Sequence, residues 1–275
     1  MIMNNSKNKF DEAIRFIKAK STFNPEILII LGSGLGAFAK LIKDRIDIPY
    51  ADIPHFRAAS ISGHKGVLSI GTVKGKSIYC MQGRNHYYEG CTNEEMRFPI
   101  QLFALLGVKV LILTNACGSM VDKIKPGTMA LITDHINMMG KNPMEGDNQD
   151  YIGPRFFDMS EPYNKELNDI AKAVAKENNI ELNQGVYVSY LGPSYKTKAE
   201  IKAYRAMGGD LIGMSTVPEV IIARHAGIKV LGIASVTNMA TGISEVKLSH
   251  EEVLTIGAQI GNTLGKLLTQ IVERL

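Results

Sequence analysis

Short, nearly continuous apolar runs alternate along this chain with stretches whose apolar positions recur at helical spacing. Residues 26–31, 108–114 and 230–237 are dominated by Val, Ile, Leu and Ala, the pattern of strands buried on both faces. Residues 67–70 and 77–81 are shorter strands around a Lys74-Gly75 turn, which predicts a hairpin. Residues 129–133, 185–191 and 211–214 complete the predicted strands. Helical spacing marks residues 11–20, where Phe10, Ile14 and Ile17 share one face opposite Arg15 and Lys18. A short helix is expected over 37–44, and further helices over 99–106, 165–178, 197–207 and 218–226. Gly107, Gly208-Gly209 and Gly227 close three of these. Residues 250–275 read as a long terminal helix, apolar at Val253, Leu254, Ile256, Ile260, Leu264, Leu267, Leu268 and Ile271. Residues 142–154, rich in Pro, Gly, Asn and Asp, predict a loop. Buried strands alternating with helices predict an α/β fold with a largely parallel sheet covered on both faces. No linker or shift in composition divides the chain, so residues 1–275 are expected to form a single domain.

Composition narrows the function classes. The 275 residues are 45% hydrophobic and 21% charged, ordinary for a globular protein. A net charge of +4 suits a small anionic substrate and is too weak to argue for nucleic acid. Cys80, Cys91 and Cys117 form no CxxC pair, which points to neither a disulfide framework nor a zinc site and makes a reducing cytoplasm the default. The first ten residues lack the apolar core of a signal peptide, and no apolar run is long enough for a membrane span.

Candidate chemistry gathers at strand ends, where α/β sheets bind ligands. Gly83-Arg84-Asn85-His86-Tyr87-Tyr88-Glu89-Gly90 packs a guanidinium, an imidazole and two phenols between glycines. Arg offers a planar fork to oxyanions, His can donate to one, and Tyr gives an apolar face for a sugar. That octapeptide is either an anion pocket beside a ribose-sized group or a polar surface loop. Gly32-Ser33-Gly34-Leu35-Gly36-Ala37 follows a strand, so its amides and the Ser33 hydroxyl can bind phosphate, or it is a plain tight turn. Its spacing also resembles a dinucleotide fingerprint, which keeps a dinucleotide-dependent oxidoreductase as an alternative. The acidic residue that fingerprint needs would be Asp52, between Pro49 and Pro54, poor company for a central strand.

Ser62-Gly63-His64-Lys65-Gly66 is a basic turn open to phosphate or to solvent. Thr114-Asn115-Ala116-Cys117-Gly118-Ser119 brings small residues that let backbone approach a ligand, or forms a simple turn, with Cys117 more in keeping with packing than with nucleophilic attack. In Gly213-Met214-Ser215-Thr216-Val217-Pro218, Ser215 can donate to phosphate, while a plain helix cap by Ser215 or Thr216 explains it equally. Thr237-Asn238 ends the last buried strand, and an Asn there can both donate to and accept from a base edge, or sit in a turn. No nucleophile elbow and no metal-ligand spacing is visible.

Taken together and in this order, these segments, with Gly192-Pro193-Ser194-Tyr195-Lys196-Thr197, resemble the trimeric class of purine nucleoside phosphorylases from about Glu26 to Val253. The resemblance implies one α/β domain with a mixed sheet, a homotrimer, and reversible phosphorolysis of a purine nucleoside to free base and ribose 1-phosphate. It implies no metal or organic cofactor; inorganic phosphate is a co-substrate. It assigns phosphate to Ser33, Arg84, His86 and Ser215, with His64 and the Ala116 amide nearby. Tyr88 and Met214 would contact the ribose, and His250 its 5′-hydroxyl. Asn238 would bind the purine at N7 and O6, in a pocket with Ala116, Cys117, Gly118, Tyr195, Lys196, Ile212 and Thr237. Asn238, His86 and Ser33 would carry catalysis, and Phe156 would reach the neighbouring subunit's site. A methylthioadenosine phosphorylase would carry Asp at position 238, so Asn238 argues for 6-oxopurines.

One position departs from the family pattern. Lys196 stands where the family carries a glutamate that accepts from purine N1–H and from a 2-amino group. A lysine cannot accept from either. Two readings follow: weakened guanosine use, with inosine retained and xanthosine admitted, or a Lys196 that points to solvent. A nucleoside-binding protein without turnover is the remaining alternative.

Overall fold

The computed structural model describes residues 2–58, 64–243 and 250–275, with the side chains of 2–6, 250 and 252 outside that description. Its elements run α1 (Ile2–Lys20), β1 (Ile27–Leu31), β2 (Lys43–Pro49), β3 (Val67–Val73), β4 (Lys76–Gln82), α2 (Asn93–Leu105), β5 (Val110–Ser119), β6 (Met129–Met138), α3 (Lys165–Glu177), β7 (Leu182–Tyr190), α4 (Lys198–Ala206), β8 (Leu211–Gly213), α5 (Val217–His225), β9 (Lys229–Met239) and α6 (His250–Arg274). The strands form one mixed sheet in the order β2-β3-β4-β1-β5-β8-β7-β6-β9, and β9 pairs back onto β5. The second half of the sheet therefore closes into a five-stranded ring, β5-β8-β7-β6-β9, with the other strands as an open wing. Of the nine pairings described, five are parallel. The remaining four are antiparallel, so the sheet is more evenly mixed than the alternation of strands and helices predicts.

Period-two alternation explains how β1 is buried on both faces. Leu28 and Ile30 join a core with α1, α2 and α5, built from Ile17, Phe103 and Ile222 among others. Ile27, Ile29 and Leu31 join the opposite core, with Leu167 and Val174 of α3 and Leu264, Leu268 and Ile271 of α6. The apolar positions read from residues 250–275 thus mark a real contact face. Among the described residues, no helix is long and apolar enough to cross a membrane.

Three local expectations are corrected. Residues 37–44 do not form an α-helix: a 3-10 turn covers Gly36–Leu41, and β2 follows at once. β2 lies at the sheet edge, antiparallel to β3, and it ends at Pro49, whose missing N–H an edge tolerates. Asp52 falls in a 3-10 turn rather than at the end of a parallel strand, so the strand-helix-strand unit that the fingerprint needs does not follow β1. α2 begins at Asn93, not at Pro99. Thr92 caps it, accepting from the Glu95 amide while the Glu95 carboxylate accepts from the Thr92 N–H. α1 extends nine residues before the apolar spacing that marks it (2 against 11), because its first turns are polar and carry no periodic signal.

Leu268 is fully buried between α6, α3 and the sheet. Leu268→Ala is expected to cost about 2–5 kcal/mol of unfolding free energy in a urea titration. A loss near zero would contradict this placement of α6.

Candidate active site

The site grows out of a fork in the sheet. β5 pairs with β1 only as far as Leu113 and with β8 only from Gly118, while β9 lies along its other edge throughout. Between them, residues 114–117 have no strand on that side, so alternate backbone polar groups there need other partners. Residues 115–119, read as a possible turn, are strand. The Thr114 hydroxyl accepts from the Gly32 amide at 3.1 Å and lies 3.1 Å from the Ile30 carbonyl, to which it donates. Gly32 is required at this closure: a Cβ on it would lie 2.8 Å from the Asn115 Cα and 2.9 Å from the Thr114 carbonyl oxygen.

Arg84 fills the crotch of the fork. It follows β4 directly after Gly83, whose φ of 105° and whose missing side chain are both needed, since a Cβ would sit 2.5 Å from the His64 Cβ. The guanidinium, 3% exposed, donates to the Thr114 and Ile30 carbonyls and to Glu219 of α5 at 3.1 Å. Among the described residues, its Nε–H has no protein partner. His64 lies over it. Its Nδ1 lies 2.9 Å from the Arg84 carbonyl, which can only accept, and 3.3 Å from the Arg84 amide, which can only donate; the shorter contact places the proton on Nδ1. Nε2 then accepts from the Ser33 hydroxyl at 3.1 Å. Burial, with His86 and Arg84 nearby, lowers the His64 pKa to about 4, so the ring is neutral at physiological pH.

The rest of the octapeptide turns back on itself. His86 donates through Nδ1 and its backbone amide to the Glu89 carboxylate, at 2.9 and 2.8 Å, which leaves Nε2 as the remaining ring nitrogen. The rings of His64, His86 and Tyr88 stack in series, with centroids 5.3 and 4.6 Å apart. Burial raises the Tyr88 phenol to about 12 and keeps it protonated. Asn85 and Tyr87 face elsewhere: Asn85 donates to the Arg57 carbonyl, and Tyr87 donates to Asn93 at 2.8 Å.

Ser215 is presented by a strained turn. Thr216 has φ 76° and ψ −54°, and the Val217 amide donates to the Ser215 carbonyl at 2.9 Å, closing a γ-turn of the rare hand. Thr216 is the N-cap of α5 by position, but its side chain makes no capping bond. Its hydroxyl instead accepts from the Asn115 amide at 2.8 Å. The simple helix-cap reading of Ser215 and Thr216 is therefore wrong.

A bulge shapes the far wall. β9 slips register against β5 between Cys117 and Gly118, so that Cys117 faces Val236 and Gly118 faces Asn238. Thr237 is the extra residue. A regular strand would send Thr237 and Asn238 to opposite faces, whereas both line the same cavity here. The Asn238 amide donates to the Met239 carbonyl at 3.0 Å, and its oxygen accepts from the Thr237 hydroxyl at 2.8 Å. Cys117 is buried, which pushes its thiol pKa up and leaves no thiolate for nucleophilic attack.

All these walls enclose one cavity of about 820 Å³, counted out to its mouth. Ser33, His64, Arg84, His86, Tyr88, Ala116, Cys117, Gly118, Tyr195, Lys196, Ile212, Met214, Ser215, Thr237 and Asn238 all line it. Phe156 does not; it stands 89% exposed in the segment between β6 and α3. Ser62, Gly63 and the side chain of His250 lie outside the described residues, although Val253, three positions on in α6, lines the cavity. Sequence reading missed Tyr190, Ile201 and Asn115 in the lining, and Glu89 and Glu219 behind it. Glu219 had a visible signal, a lone acid within the apolar run that opens α5 ahead of Arg224 and His225. Among the described residues, no group of three or more His, Cys, Asp or Glu is placed to hold a metal ion.

Comparison with known proteins agrees with this geometry. Residues 26–273 match the Phosphorylase superfamily. Purine nucleoside phosphorylase 1 of Geobacillus stearothermophilus is 45% identical over 270 residues, covering 98% of both chains. Its counterpart in Bacillus subtilis (strain 168) is 45% identical over 268 residues, covering 98% of this chain and 99% of its own. Among solved structures, Schistosoma mansoni purine nucleoside phosphorylase in complex with inosine superposes with a TM-score of 0.92 at 40% identity, covering 98% of this chain and 96% of its own. The same enzyme in complex with adenosine gives 0.93 at 41%, covering 98% and 97%. With the family's motifs gathered around one cavity and its sequence matched end to end, this chain belongs to the purine nucleoside phosphorylase family, within the phosphorylase superfamily.

Proposed function

We propose that this chain catalyses the reversible phosphorolysis of 6-oxopurine nucleosides, inosine among them, to free base and ribose 1-phosphate. The observation that carries the reading is the polarity of the cavity at the fork. Hydroxyls, imidazoles and a guanidinium (Ser33, Ser215, His64, His86, Arg84) cluster at one end, and Asn238 stands among apolar side chains at the other. Phosphate takes the first end. Its charge is met there by oriented donors more than by net positive charge, because Glu219 already offsets Arg84. Tyr88 and Met214 wall the ribose between the two ends, and the family resemblance assigns its 5′-hydroxyl to His250.

The reaction follows from that layout. The C1′–N9 bond lengthens first and leaves cationic character on the ribosyl group. A phosphate oxygen, held on the near side, stabilises that cation and then bonds to C1′. The bonding pair departs with the purine, whose growing negative charge at N7 and O6 meets the Asn238 amide. Asn238 trades its contacts to Met239 and Thr237 for contacts to the base. No cofactor is required by this chemistry, and phosphate is consumed as a substrate. We further propose that the protein works as a cytoplasmic homotrimer in purine salvage, each chain acting as one domain. The exposed Phe156 ring supports this, as an apolar group placed to be covered by a neighbouring subunit.

Three outcomes test the reading. Inosine plus phosphate should release hypoxanthine, omission of phosphate should stop the release, and Asn238→Ala should lower kcat by about 10²–10³-fold. Near-normal turnover in that variant would sink the assignment. Light scattering should give three times the chain mass, and Phe156→Ala should raise the nucleoside KM by about tenfold, the worth of one buried aromatic ring. A monomer with an unchanged KM would remove the trimer. The third outcome concerns His64. Its folded pKa of about 4 lies below its ordinary 6.5, so the stability that depends on neutral His64 is complete above pH 6.5 and drains away as pH falls toward 4. Burial also lowers His135 and His225, so His64→Asn should flatten only part of the decline in urea midpoint between pH 7 and pH 5. An identical decline in the variant would show that His64 is not the buried neutral group described.

A further inference from the structure

The base end of the cavity carries a charge that the phosphorolysis reading alone does not use. Lys196 is held there with its side chain 12% exposed and its ammonium 3.6 Å from the centre of the Tyr190 ring. Tyr190 packs in one apolar cluster with Ile201, Ile212 and Ala240, and all four line the cavity. Ile212 and the Asn238 amide both lie over Gly118, within 3.4 and 3.1 Å of where a Cβ would be. Lys196 and Asn238 thus both stand at the same apolar compartment.

Among the described residues the ammonium has no strong anionic partner. The carboxylate paired with it there is Glu200, at 4.0 Å, and its side chain is 44% exposed. Its other oxygen is committed to the N-cap of α4, accepting from the Thr197 amide at 2.8 Å. No Asp or Glu side chain lines the cavity among the described residues. The aromatic ring steadies the cation without neutralising it. A partly desolvated ammonium with three donors and no acceptor calls for an anionic or carbonyl oxygen on whatever base occupies the compartment.

Purines that share a 6-oxo group differ at position 2, which bears hydrogen in hypoxanthine, an amino group in guanine and a carbonyl in xanthine. The amino group is a donor and would face a donor. The carbonyl is an acceptor, and a 2,6-dioxopurine nucleoside also loses a ring proton near neutral pH, spreading negative charge onto that oxygen. We infer that Lys196, positioned by Tyr190, makes this site selective for 2-oxopurine nucleosides such as xanthosine over their 2-amino counterparts. This rests on the phosphorolysis reading and leaves its chemistry unchanged. A phosphate oxygen bonds to C1′ as the C1′–N9 bond breaks, and the bonding pair leaves with the base, which takes up one proton from water.

The test measures kcat/KM for xanthosine, inosine and guanosine in the wild type and in Lys196→Met, Lys196→Arg and Lys196→Glu. The wild type should favour xanthosine over guanosine by about tenfold or more. Lys196→Met should lower the xanthosine-to-inosine ratio by about 10- to 100-fold, the range one charged hydrogen bond carries. Lys196→Arg, which keeps the cation, should hold xanthosine above guanosine, and Lys196→Glu should reverse that order. Guanosine preferred by the wild type, or ratios that Lys196→Met leaves unmoved, would overturn the inference. Those results would leave phosphorolysis itself standing. Failure to cleave inosine with phosphate would instead remove the underlying reading.

Discussion

Everything at this site depends on β5 changing partners. A strand paired on both edges along its whole length would have no backbone to offer a ligand. Here β1 stops at Leu31 and β8 begins only opposite Gly118, so residues 114–117 are bare on one edge. That opening would leave buried peptide groups unsatisfied, a cost of about 1–3 kcal/mol each. Arg84 and the Thr114 hydroxyl take up part of the debt by bracketing β1 to β5 across the gap. Arg84 is thus a structural clamp as well as part of the cavity wall, and Glu219 makes that possible. A guanidinium buried without its carboxylate would be strongly unfavourable, and α5 carries Glu219 to within 3.1 Å of it.

The two ends of the cavity are charged by different means. At the clamp end, Arg84 and Glu219 nearly cancel, and the attraction for an anion comes from oriented hydroxyl, amide and imidazole groups. His64 strengthens that pattern by staying neutral: its Nδ1–H is spent on the Arg84 carbonyl, which fixes Nε2 toward Ser33. At the other end the charge among the described residues is a lysine over an aromatic ring, with the Glu200 carboxylate at the limit of an ion pair. An anion is therefore drawn to either end, but only the clamp end has the donors to surround a tetrahedral oxyanion.

The chemical groups of the site were legible in the sequence, because Gly, Ser, Asn and His cluster where apolar runs stop. Their convergence was legible only through the family resemblance, since spacing says nothing about which strand ends meet. What stayed hidden is three-dimensional. The Thr237 bulge changes which face Asn238 occupies without any glycine or proline to announce it. The γ-turn at Thr216 looks like a helix cap in one dimension, because Ser-Thr before an apolar helix is the usual capping signature. β2 was missed since Lys43, Asp44 and Arg45 are exposed and an edge strand needs no apolar alternation along its full length. Lys196 was visible as an anomaly, but its direction was not. A solvent-facing lysine and one packed on Tyr190 have the same sequence.

These differences explain why one end of the cavity is rigid in its chemistry and the other is adjustable. At the clamp end the groups are wired into the sheet. Moving Arg84 unsatisfies two strand carbonyls and a buried acid, and moving Ser215 disturbs a turn holding about 1–3 kcal/mol of strain against the Asn115 bond. Substitutions there are paid in fold stability as well as in binding. The base end is built from side chains on the 191–197 segment and on the tips of β7 and β9, and Tyr195 there is 41% exposed. Among the described residues, Lys196 meets an aromatic ring and the edge of one carboxylate. A change of residue at that position alters the charge met by the base while leaving the fork, the clamp and the γ-turn in place, so selectivity for the base can vary without disturbing the machinery that holds phosphate.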